Sequence, residues 1–97
     1  MGARSIVVYE SQPEICVYFH WIDQIDQIRK IVESAKIAAR SPGSDPSYSL
    51  AAFIHVATNM VYASQKGEKL SIGVGLTADF DEKTFVIGPN WEVCELN

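Results

Sequence analysis

The chain predicts an α+β domain of two layers, a five-stranded antiparallel sheet in the order ββααβββ with two helices packed on one face. Three observations predict it. Glu14 to Trp21, read Glu-Ile-Cys-Val-Tyr-Phe-His-Trp, carries large apolar side chains at every second position, the period of a strand. From Ile25 to Val61 the apolar residues recur instead at three- and four-residue steps, the period of amphipathic helices. After Leu70 the two-residue period returns in three short runs separated by turn residues.

Arg4 to Glu10 is rich in β-branched residues and predicts a first strand, with Ser11-Gln12-Pro13 as the turn into the strand at Glu14 to Trp21. In that second strand Ile15, Val17, Phe19 and Trp21 form one row, expected to face the core, and Cys16, Tyr18 and His20 form the other. Ile25, Ile28, Ile31, Val32, Ala35 and Ala38 mark a helix from about Asp23 to Arg40. Asp23 is its expected N-cap, Asp26 puts negative charge in the first turn, and Arg40 suits the C-terminal end. Ser41 to Pro46 breaks the chain. Asp45-Pro46 supplies an N-cap and first helical position, because proline at that position loses no helical hydrogen bond. A second helix then runs from Ser47 to about Ala63 on the stripe Leu50, Phe53, Ile54, Ala57, Met60 and Val61. Gln65 to Lys69 reads as a polar loop, Leu70 to Thr77 as a third strand, Lys83 to Ile87 as a fourth and Trp91 to Leu96 as a fifth. The turns between the last three strands are Ala78 to Glu82 and Gly88-Pro89-Asn90.

Ninety-seven residues predict one domain spanning 1–97, able to bury roughly 60–65% of its unfolded surface. Apolar residues make up 47% and charged residues 21%, a composition that folds without staples. A net charge of −4 argues against a phosphate-tracking nucleic-acid surface. No apolar run approaches the roughly 18–20 residues of a membrane span, and Met1 to Ser5 shows no signal-peptide pattern, so a cytoplasmic location is expected. Gly2 does not open a myristoylation motif, since Ile6 stands where Ser or Thr is required. In a reducing compartment Cys16 and Cys94 are expected to be buried free thiols.

Three features together carry a resemblance: Ala3-Arg4-Ser5 running into a strand, a second strand ending Val17-Tyr18-Phe19-His20-Trp21, and Gly43-Ser44-Asp45-Pro46-Ser47-Tyr48 stepping into an Ala-rich helix. Across most of the chain the sequence resembles a group of small uncharacterised proteins of phages, plasmids and integron gene cassettes. Members begin with Thr-Arg-Ser and carry a His-Trp-Asp-Gly-Tyr-Pro segment. Here Ile22-Asp23-Gln24 follows Trp21, so a turn or site built from that segment does not carry over. The resemblance implies a mobile-element accessory protein with no assigned activity.

Tyr9, Tyr18 and His20, with Gly73 and Gly75 leaving room above the third strand, form the candidate binding surface. An aromatic face that contains glycine is covered by a partner subunit, occupied by a ligand, or simply packed. A thiol nucleophile is disfavoured: Cys16 and His20 lie about 13 Å apart along one strand, and Cys94 reaches His20 only if the last strand lies beside the second. His20, His55, Asp79 and Asp81 lack zinc-signature spacing, and Asp79 to Glu82 lacks the calcium-loop ladder, so no metal or other cofactor is expected. Gly73-Val74-Gly75 falls inside a strand and is no phosphate cradle. The expected function is a non-enzymatic interaction module acting through the aromatic sheet face on a protein partner or as a homodimer. The alternative is a small-molecule binder or weak hydrolase with a groove at Tyr18 and His20.

Overall fold

A computed structural model describes residues 3–64 and 71–96. The predicted polar loop at 65–69 and the predicted strand start at Leu70 lie outside the described residues. The elements are β1 (Arg4–Tyr9), β2 (Gln12–His20), α1 (Ile25–Ala38), α2 (Pro46–Ser64), β3 (Ile72–Leu76), β4 (Lys83–Ile87) and β5 (Val93–Leu96). A 3-10 turn, Thr77–Asp79, lies between β3 and β4. Both helices pack on one face of a five-stranded sheet of order β3-β2-β1-β4-β5.

The sheet is mixed, which corrects the antiparallel expectation. β1 pairs antiparallel with β2 but parallel with β4, Val7 standing opposite both Val17 and Phe85. The last three strands therefore do not form a meander. After Leu76 the chain crosses β2 and β1 before it enters β4, and the crossover at 77–82 runs over the face opposite the helices, where Phe80 packs against Ile6, Val8 and Cys16. This strap makes β1 the centre of the sheet, with Ile6, Val7, Val8 and Tyr9 all buried.

The helix-side core follows the alternation of the strands. Val7, Tyr9, Val17, Phe19, Phe85 and Ile87 meet Ile28, Ile31, Val32 and Ala35 of α1 and Phe53, Ala57 and Val61 of α2. Buried residues in α2 recur every fourth position, at Ser49, Phe53, Ala57 and Val61, the spacing of one helix face. Phe53 sits edge-on to both Tyr9 and Phe19, with ring centroids 6.3 and 6.5 Å away. The one hydroxyl pair inside this core is satisfied, Tyr9 Oη lying 2.9 Å from Ser49 Oγ. Gly43 donates its N–H to the Pro89 carbonyl at 3.2 Å, and a Cβ there would stand 2.7 Å from Pro89 Cβ, so only glycine lets the interhelical loop lie this close to the β4–β5 turn.

Several element ends differ from expectation: β2 begins at Gln12, inside the predicted turn, β5 begins at Val93 rather than Trp91, and two further differences bear on the site. α1 begins at Ile25 with Gln24 as N-cap, because the Gln27 side-chain carbonyl accepts the N–H groups of Asp23 and Gln24 at 3.1 and 3.0 Å. Trp21 leaves the core row altogether. β2 ends at His20, and Trp21 adopts φ 73°, so its indole swings out of the strand alternation and is 58% exposed.

Candidate functional site

The turn from β2 into α1 is held by three bonds, two from the start of β1 and one from β4. Trp21 donates its N–H to the Ala3 carbonyl, Ser5 Oγ donates to the Ile22 carbonyl at 2.7 Å, and Lys83 Nζ donates to the Asp23 carbonyl at 2.9 Å. A bulky residue in the left-handed region costs of order 1–3 kcal/mol and persists only where the surroundings over-determine it. Here three anchors do so within residues 21–23. They fix the indole against the His20 imidazole, the rings stacked at 4.4 Å with 14° between their planes.

That stacked pair forms one wall of an open groove of about 410 Å³, with Ile22 beside it and Ile31, Met60 and Val61 supplying the apolar remainder from the two helices. Lys30 and Gln27 stand on the α1 side. Lys30 is the one charged lining residue and has no ion-pair partner among the described residues, whereas Arg29 and Lys36 are paired with Asp26 and Glu33. Gln27 has committed its carbonyl to the helix start, which leaves its amide N–H₂ as the available donor. An aromatic wall, an apolar floor, a cation and an amide donor suit a planar apolar ligand carrying an anionic group.

The residues singled out from sequence do not share one surface. Tyr9 lies on the helix-side face with its hydroxyl on Ser49, and burial pushes its phenol up to about 12 against the lowering effect of that hydrogen bond. Its position in the strand alternation is odd, as for Val7, while Tyr18 stands opposite Ile6 on the other face. Gly75 faces the strap, where an added Cβ would stand 3.0 Å from the Phe80 ring; Gly73 has nothing within 4 Å. Tyr18 stacks on Phe80 at 5.2 Å and meets His20 edge-on at 6.5 Å. Phe80, Tyr18, His20 and Trp21 thus form a continuous run of rings from the strap to the groove, and His20 is the sequence-selected residue that belongs to both.

The thiols stay apart from His20. Burial raises the Cys16 pKa, against hydrogen bonds with the Thr77 side chain and the Gly75 backbone. Cys94, expected to be buried, is exposed, because it lies on edge strand β5. It stands opposite Val86 in the sheet row that runs through Val8 to Cys16, so the two sulfurs are separated by three strand spacings, about 14 Å, beyond disulfide reach. β1 and β4 intervene between β5 and β2, so the Cys94–His20 pairing does not form. His55 is exposed on α2, 3.3 Å from Asn59 Nδ2, and among the described residues no three His, Cys, Asp or Glu side chains converge as a metal site. No described helix is long and apolar enough to cross a membrane.

Sequence reasoning missed Trp21, Gln27, Lys30 and Met60. Trp21 was hidden by strict strand alternation; the available signal was Gln27, a residue type that at the third helical position reaches back to the N-cap N–H and so marks a helix start at residue 24. Compared with protein-family models, with curated proteins and with solved structures, the chain finds no match in any of the three.

Proposed function

We propose that the protein is a small-molecule-binding module whose groove at His20 and Trp21 takes a planar apolar group and whose Lys30 takes an anionic substituent on it. The observation that carries this reading is the exposed indole held in a strained backbone conformation by three separate anchors. Packing alone gives no reason to present a tryptophan this way. Met60 adds an adaptable side chain to the floor, and the groove volume lies within the range of small-ligand sites. The sheet-face contact reading draws less support, since Phe80 and the strap occupy the middle of that face.

The test is titration of 2-naphthoate, followed by the two tryptophan indole N–H signals in a nitrogen-correlated proton spectrum. Trp21→Phe assigns the signal that belongs to the groove. Saturable movement of the Trp21 signal, weakened by Lys30→Glu and by replacing naphthoate with naphthylmethylamine, is the expected result. Equal response to the acid and the amine would remove the role given to Lys30, and absence of saturable movement with either probe at millimolar concentration would remove the groove as a binding site.

A further inference from the structure

Among the described residues β3 is an edge strand, with β2 on one side and no strand on the other. Its sequence, Ile72-Gly73-Val74-Gly75-Leu76, holds no charge and no proline, the usual devices that keep an edge from pairing. The other edge, β5, carries Glu95, which meets Lys83 at 3.7 Å. Val74 and Leu76 face the helix side but lie beyond its cover, each 58% exposed. The strand therefore presents bare backbone and apolar side chains together.

The polar groups on that edge can be assigned. His20 and Ser71 stand opposite each other, and the His20 N–H donates to the Ser71 carbonyl at 3.0 Å, so this is a hydrogen-bonded pair. In an antiparallel ladder such pairs alternate, so Gly73 and Gly75 also turn their N–H and C=O toward β2. Ile72, Val74 and Leu76 turn theirs outward. The five residues read nearly the same in both directions, Ile-Gly-Val-Gly-Leu, so a second copy laid antiparallel with Val74 opposite Val74 places Ile72 opposite Leu76 and each glycine opposite a glycine. All three outward-facing residues then fall in hydrogen-bonded pairs. No like charges meet, and the exposed apolar side chains of both copies form one ladder on the helix side.

We propose that two copies of this chain associate through β3 about a two-fold axis at Val74, joining their sheets into one of ten strands. This pairing does not depend on the ligand groove. A pairing of two five-residue strands is expected to bury less than the roughly 1,200–2,000 Å² of a standard interface, so association is expected at about tens to hundreds of micromolar. Sedimentation equilibrium of the full chain over that range should show the mass rising from 10.8 kDa toward twice that value. Because residue 74 meets its own copy, Val74→Lys and Val74→Glu should each sediment as monomers, both being folded by circular dichroism. Mixing the two in equal amounts should restore the doubled mass as a heterodimer. A wild-type chain that stays at 10.8 kDa throughout overturns the proposal, as do charged variants that self-associate like wild type or a mixture that remains monomeric.

Discussion

Three side chains show how local environment fixes what each residue does. Phe53 is fully buried between Tyr9 and Phe19, so Phe53→Ala should cost about 3–5 kcal/mol in urea unfolding as a large-to-small core change; a loss under about 1 kcal/mol would mean the site collapses freely. Trp21 holds φ 73°, where glycine carries no steric penalty and any other residue does. Trp21→Gly and Trp21→Ala both remove the indole and its stack on His20, so the glycine variant should be the more stable by about 1–2 kcal/mol. Equal melting temperatures would show that the three anchors do not hold residue 21 left-handed. Tyr9 is neutral when protonated, and burial has raised its pKa from 10.0 to about 12. The folded state keeps this proton longer than the unfolded chain does. Its contribution to stability is therefore full below pH 10 and is lost as the pH rises through about 12. A tyrosinate absorbance titration of Tyr9→Phe should lack the latest component seen in wild type, and an unchanged curve would contradict the buried assignment.

Among the elements, the strap at 77–82 most alters the picture drawn from sequence. Helices and strands announced themselves by period, and β4 begins and ends where the pattern Lys83-Thr-Phe-Val-Ile87 places it. The strap has no period. Ala78 to Glu82 looks like an acidic hairpin turn because composition records that the chain reverses or bends, not which strand it reaches next. The information lies in tertiary contacts: Phe80 on Tyr18 and over Gly75, and Thr77 Oγ1 donating to the Pro13 carbonyl at 2.6 Å. Gly73 and Gly75 were legible as a place of close approach, yet the approaching group turned out at Gly75 to be the chain's own phenylalanine. Phe80→Ala should uncover Cys16. In native protein a thiol reagent should modify Cys94 rapidly and Cys16 only slowly, since Cys16 is buried with a raised pKa. In Phe80→Ala the slow thiol should react faster while the Cys94 rate is unchanged. A slow phase that Phe80→Ala leaves untouched would show that Cys16 is protected by something other than the strap.

For the molecule as a whole, the run of large apolar side chains at Glu14 to Trp21 invites the reading that β2 is the organising strand. The sheet order makes β1 the centre instead, flanked by β2 and β4 and covered by helices on one face and the strap on the other. The β1–β4 pairing places it there, and it joins residues far apart in the chain, which no local pattern encodes. Amide hydrogen exchange reads this directly, because protection follows how much structure must open to expose an N–H. The amides of Ile6, Val7 and Val8 should exchange slowest, near the rate set by global unfolding. In β3 protection should alternate, with Gly73 and Gly75, bonded to β2, protected and Ile72, Val74 and Leu76, facing outward, fast in dilute protein. At concentrations where β3 meets a second copy, the three fast amides should slow while those of edge strand β5 do not. If β2 amides outlast those of β1, the centre of stability has been misassigned; if Val74 is protected in dilute protein, its N–H is bonded within one chain and the edge is not open.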